Sequence, residues 1–291
     1  MNGTAKLALA GGWLLFAAGC SAHRPPEAPE HEGKDVATSF DGVPIVYEVH
    51  GTGAPALVFV HGWSCERSYW AGQLAPFSRT HRVVALDLAG HGESGRGRTD
   101  WTISAFGNDV AAVVEKLALP RVILVGHSMG GDVITEAARR LRGRVVGLIW
   151  VDTYGELGAG RSPEKVAAFV APFRANFPDA TRRFVHSLFR PDSDPALVER
   201  VAAAMSSRPP EIAVGALDSA FSYSREVVPA LQELKLPVIA INADNRPTDV
   251  PSMNRAGVKV IVIPGTGHFP QLEAPDRFNA LLTEAIDTLP R

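Results

Sequence analysis

One serine carries the clearest chemical signal in this chain. Residues 121–131 read RVILVGHSMGG and place Ser128 between Gly126 and Gly130. The run 122–125 is apolar and β-branched, as a strand buried on both faces should be. From Met129 onward the pattern Val133, Ile134, Ala137, Ala138 and Leu141 suits a helix. The spacing therefore predicts a strand, a sharp turn carrying Gly-x-Ser-x-Gly, and a helix. A serine at the tip of such a turn is held in strained backbone. Glycines two before and two after it let neighbouring segments approach without Cβ clashes. The turn would hold Oγ above the sheet at a helix N-terminus. A serine hydroxyl is a weak nucleophile at neutral pH and needs a base within hydrogen-bond reach. His268, in the Gly-rich run Gly265-Thr266-Gly267-His268, is the candidate base.

The elements that must position these residues alternate along the chain. Residues 38–48 read as a hairpin turning at Asp41-Gly42. Buried strands are expected at 56–60, 82–86, 122–125, 145–151, 236–241 and 258–263. Helices are expected at 66–79, 103–117, from Met129 to about 141, and at about 275–288. Alternation of this kind predicts an α/β fold with a mostly parallel, doubly wound sheet covered on both faces. Residues 154–225 break it with helix-like segments at 163–177, 180–189, 195–205 and 210–221, punctuated by seven prolines. With 291 residues, 46% hydrophobic and 21% charged, the chain can build one large α/β domain with an insertion or two small ones. A net charge of −2 gives no reason to expect nucleic acid as a partner. Two cysteines, Cys20 and Cys65, are too few for a disulfide framework.

The N-terminus reads as an export signal. Lys6 is the only charge in residues 1–20, and the apolar run 7–19 is too short to span a bilayer. It ends in Ala17-Ala18-Gly19-Cys20, which resembles a bacterial lipobox, with Ala17 standing where leucine is usual. That resemblance implies lipidation of Cys20. With Ser21 following, it also implies an exported lipoprotein held at the outer membrane or cell envelope. Residues 21–35 are proline-rich and charged and read as a flexible tether.

His61-Gly62-Trp63 after one strand, Asp87 to Ser94 (DLAGHGES) after the next, GHSMGG after the third and GTGHFP near the C-terminus stand in a characteristic order. Together they resemble the α/β-hydrolase superfamily, over roughly residues 39–289. The resemblance implies a core at 36–153 and 226–291, with 154–225 as a helical cap over the active site. It implies Ser128 as nucleophile, His268 as base, and an oxyanion hole made by the backbone N–H groups of Trp63 and Met129. His61, His91 and His127 fall in loops where histidine is usually structural. Cys65, beside the oxyanion loop, reads as a small buried thiol. The acid stays open. Many family members carry it as Gly-x-x-Asp-Pro, but here the matching stretch is Ala243-Asp244-Asn245-Arg246-Pro247, with arginine at the aspartate position. Asp152, at the end of the strand after the nucleophile helix, is favoured, with Asp249 and Asp244 as alternatives.

The implied activity is serine hydrolysis of a carboxylic ester or related small-molecule acyl substrate, with no metal or organic cofactor. Thioesterase, lactonase, amidase, perhydrolase, carbon–carbon hydrolase and acyltransferase share the same machinery. A non-catalytic ligand-binding lipoprotein is the reading from another class. Phe169, Phe173, Phe177, Phe184, Phe189, Phe221 and Tyr223 of the cap are candidates for pocket lining or for packing the cap onto the core.

Overall fold

A computed structural model describes residues 1–3, 33–158 and 162–290. All but the first three residues of the proposed signal, and the lipidation site Cys20, lie outside them. Eight strands form one sheet: β1 (Gly33–Thr38), β2 (Pro44–His50), β3 (Ala56–Val60), β4 (Val83–Leu86), β5 (Val122–His127), β6 (Val145–Val151), β7 (Val238–Ala243) and β8 (Val258–Ile263). Their order is β1-β2-β4-β3-β5-β6-β7-β8. β1 pairs antiparallel with β2 and β2 with β4, and every other pair is parallel.

Side chains alternate across a strand, and here the alternation splits the core in two. Val58, Val60, Leu124, Leu148 and Trp150 enter the larger cluster, with Phe106 and Val110 of α2 (Ile103–Lys116) and Val133 and Ile134 of α3 (Met129–Arg140). Leu57, Phe59, Ile123, Val125, Ile149 and Ile241 enter the other. There they meet Phe77 of α1 (Ala71–Phe77), and Phe278 and Leu282 of α11 (Pro275–Asp287). Burial on both faces is why these strands are continuous apolar runs. Each fully buried side chain contributes roughly 1.5–3 kcal/mol.

The cap comprises α4 (Pro163–Ala175), α5 (Phe177–Leu188), α6 (Pro195–Ser206) and α7 (Pro210–Tyr223), followed by α8 (Val227–Leu234), which packs on α3. The prolines that punctuate this region start its helices: each of the four has proline in its first two positions. Proline fits there because those N–H groups have no helical partner anyway. Ser162, Asn176 and Asp194 cap three of them. The short helices α9 (Val250–Arg255) and α10 (Pro270–Glu273) complete the chain.

Two of the differences from the sequence reading bear on local structure. The segment expected as one helix at 66–79 is a 3-10 turn at Arg67–Trp70 followed by α1, which carries Pro76 inside it. The ladder also begins inside the stretch read as tether. Gly33, Lys34 and Asp35 pair with Val49, Glu48 and Tyr47, Tyr47 Oη donates to Asp35 Oδ2 (3.0 Å), and Lys34 bridges to Glu93 (2.8 Å). An edge strand needs only backbone pairing and one covered face, so no apolar run marked it.

Candidate active site

The turn between β5 and α3 puts Ser128 at φ +52°, ψ −122°, a strained conformation for a residue with a Cβ. The surroundings enforce it. A Cβ on Gly126 would sit 2.2 Å from Gly130 O, and one on Gly130 would sit 2.6 Å from Val60 O, so the elbow closes only with glycine at both places. Ser128 N donates to Val151 O at the end of β6 (2.9 Å).

His268 lies in the loop between β8 and α10. Its Nδ1 is 2.6 Å from Asp152 Oδ2. With Nδ1–H donating to that carboxylate, Nε2 is left as the basic nitrogen. Asp152 directly follows β6 and has φ +48°. Its Oδ1 accepts Ala243 N (2.9 Å), and its own N–H donates to Ile241 O (3.0 Å), so β7 fixes the carboxylate from both sides. The two alternative acids are occupied elsewhere. Asp244 accepts Gly265 N (2.9 Å) and Arg190 Nη1 (3.2 Å), and Asp249 caps α9 through Ser252 N (3.1 Å).

Ser128, His268 and Asp152 line one cavity of about 640 Å³, together with Trp63 and Met129. Met129 opens α3, where backbone N–H groups have no acceptor within the helix. Trp63, on the loop after β3, anchors that loop to the cap: its indole N–H donates to Ala213 O of α7 (2.7 Å). Phe169, Phe184 and Phe221 form an apolar part of the wall, with ring centroids 5.1–5.5 Å apart. Phe173 and Phe177 pack edge-on to Trp63, Phe189 stacks on Phe269, and Tyr223 donates to Glu136 (3.1 Å). Of the cap aromatics, then, some line the cavity and others fasten the cap. Three of its arginines, Arg174, Arg182 and Arg190, form ion pairs near the surface with Asp218, Glu199 and Asp192.

A family model described as the alpha/beta hydrolase family matches residues 57–281. The chain belongs to that family. Among solved structures, a thermophilic esterase from Thermogutta terrifontis is 26% identical, with a TM-score of 0.74, over 87% of this chain and 98% of that one. Est816, an N-acyl homoserine lactone degrading enzyme, is 26% identical with a TM-score of 0.73, over 86% of this chain and 99% of that one. A non-heme haloperoxidase of Rhodococcus erythropolis is 40% identical over 110 residues, 37% of this chain and 40% of that protein. The chain spans about two-fifths of the length of curated relatives such as this one.

In this α/β-hydrolase site, Glu273 is marked by no motif. Glu273 of α10 brackets His268: its carboxylate accepts Gly267 N (2.9 Å), Phe269 N (3.1 Å) and Ser193 Oγ (2.9 Å). His127, fully buried beside the serine, donates from Nε2 to His268 O (2.7 Å), and burial holds its pKa well below the ordinary histidine value. The two other motif histidines stitch loops together. His61 Nε2 accepts Leu88 N (3.0 Å), and His91 Nδ1 donates to Ala89 O (3.0 Å). Burial lowers them to about 4 and about 3, so both are neutral. Cys65 is buried, its thiol donates to Trp63 O (3.3 Å), and burial pushes its pKa up, the opposite of an activated thiolate. No group of side chains suited to a metal ion occurs among the described residues.

Proposed function

We propose that this α/β-hydrolase is a serine esterase that cleaves a carboxylic ester through an acyl-enzyme on Ser128. The observation that carries the reading is the 2.6 Å contact of His268 Nδ1 with Asp152 Oδ2 at the edge of the cavity that Ser128 enters from its strained turn. Ser128 Oγ attacks the acyl carbon while its proton passes to His268 Nε2. Asp152 holds the imidazole in the tautomer that leaves Nε2 basic, and it stabilises the imidazolium that forms. The negative oxygen of the tetrahedral intermediate accepts the N–H groups of Met129 and Trp63. Collapse expels the alcohol, which takes the proton from Nε2. Water, deprotonated by the same nitrogen, then releases the acid and restores Ser128. The similar structures that are an esterase and a lactone-degrading enzyme support acyl-oxygen chemistry.

The test is hydrolysis of p-nitrophenyl esters from acetate to decanoate, with labelling by a fluorophosphonate probe. Ser128→Ala should lose both, with turnover falling by a factor on the order of 10⁴ or more. Undiminished turnover in that variant refutes the assignment. Labelling of Ser128 without turnover of any ester keeps the nucleophile and moves the substrate to thioesters, lactones or peroxide-dependent acyl transfer.

We also propose, from the sequence motif alone, that Cys20 carries a lipid that holds the enzyme at an envelope membrane. Cys20→Ser should then shift the protein out of the membrane fraction, and unchanged fractionation refutes it.

A further inference from the structure

We propose that Asp132 is a specificity residue of the cavity and selects substrates that carry an ammonium group on the acyl side. The inference rests on the esterase reading for its chemistry and on the cavity alone for its charge preference.

Asp132 sits on α3 four residues after Ser128, about 6 Å farther along the helix axis. It is 5% exposed and lines the cavity. Its Oδ1 accepts the hydroxyl of Tyr154 (2.5 Å), and no second hydrogen bond or ion pair to its carboxylate occurs among the described residues. A buried carboxylate is normally paired with a cation, because an isolated one costs several kcal/mol. Here the place for the cation is the cavity itself.

A second acceptor lies close by. Asn242, 2% exposed and also on the cavity wall, donates from Nδ2 to Tyr154 O (2.8 Å) and to Thr248 Oγ1 (3.1 Å), while its Oδ1 is buried without a partner. Tyr154 thus ties together two acceptors, Asp132 with a single donor and Asn242 Oδ1 with none. The rest of the lining points the same way. Asp132, Asp152, Glu156 and Asp249 contribute carboxylates, and Arg246 is the one guanidinium among the described lining residues. A cleft lined by an excess of one sign concentrates ligands of the other.

The distance fixes where the charge belongs. With the scissile carbonyl at Ser128, a cation one helical turn away falls three to five bonds along the acyl chain, beside Tyr154, whose hydroxyl holds Asp132. Carboxylate-terminated chains would meet Asp132 head-on and are excluded.

The experiment compares two p-nitrophenyl esters of one shape: γ-trimethylammoniobutyrate, and its isostere with carbon in place of nitrogen. At pH 8 the wild type should favour the cationic ester in kcat/KM by about tenfold or more, as expected of an ion pair partly screened by cavity water. Asp132→Asn should erase that preference. Glu284→Gln, which removes the same unit of net charge from an exposed site outside the cavity, should keep it. An equal preference in the wild type and Asp132→Asn overturns the proposal. A binding arm needs no chemistry. In a Ser128→Ala background, phenylbutylammonium should raise the melting temperature and phenylbutyrate should not, and Asp132→Asn should remove the difference. If neither ester is turned over, the esterase reading fails while the binding arm still decides the charge preference. If the esters are turned over without discrimination and the two phenylbutyl ligands bind alike, the esterase reading stands and the role of Asp132 falls.

Discussion

A carboxylate kept without a cation should cost stability, and the cost can be worked out. Burial raises the Asp132 carboxyl to about 7 in the folded chain, from 3.8 when free, against the single Tyr154 hydrogen bond that lowers it. Below about pH 4 the group is protonated in both folded and unfolded chains and contributes nothing to the difference. Between about 4 and 7 the folded chain holds one more proton than the unfolded one, so stability falls as pH rises, by about 1.4 kcal/mol per pH unit. Above 7 both forms are ionised and the loss levels off on the order of 4 kcal/mol. Asp132→Asn keeps an oxygen to accept the Tyr154 hydroxyl and removes the charge. The variant should therefore be more stable than the wild type at pH 8 by a few kcal/mol, roughly 10 °C in melting temperature for a chain of this size. The advantage should shrink steadily toward pH 4. Thermal or urea unfolding of both proteins at several pH values reads this directly, and the shared titrations of other groups cancel in the comparison. A stability gap that stays flat from pH 4 to 8, or a wild type more stable than the variant at pH 8, refutes the argument that Asp132 is buried unpaired.

Two further changes probe the histidine. Asp152→Asn should lower kcat by a factor on the order of 10³–10⁴, because an amide cannot hold the Nδ1–H tautomer, while the same change at Asp244 or Asp249 leaves the His268 contact in place and costs far less. Comparison of the three variants on one ester checks it, and a larger loss at Asp244 or Asp249 overturns the choice of acid. Glu273→Ala leaves the N–H groups of Gly267 and Phe269 without their acceptor, about 1–3 kcal/mol each where buried, and loosens the loop that carries His268. It should lower kcat with little change in KM, with partial rescue by Glu273→Gln; a change in KM alone would show that Glu273 does not position the base.

Much of this arrangement can be read in the sequence, and the parts that cannot have a common cause. The central strands announce themselves because both faces are buried: 56–60 and 145–151 hold as expected, and the strand expected at 122–125 runs on to His127. The strand expected as buried at 258–263 forms with those bounds, but at the edge of the sheet and partly exposed. The elbow is legible because its geometry demands glycine at 126 and 130, and few residue patterns can substitute for that. What sequence spacing leaves undecided is the choice among three aspartates near strand ends, since each is locally plausible. The register between neighbouring strands separates them. Asp152 N–H bonds to Ile241 O and Ala243 N–H bonds back to Asp152 Oδ1, which turns that carboxylate toward the loop of His268, while Asp244 is drawn to Gly265 and Asp249 to its own helix. Such pairings join residues some 90 positions apart, and no local pattern reports them. Asp132 and Glu273 are hidden for the same reason. A polar residue on a helix is expected to face water, and only the packing of Tyr154 on one, and of the Gly267–Phe269 loop on the other, turns each inward. These are also the residues whose burial must be offset by something other than apolar packing. Glu273 receives three donors, while Asp132 receives one. That imbalance makes the cavity beside Asp132, rather than the cap or the sheet, the place where a ligand would complete the fold's hydrogen bonding.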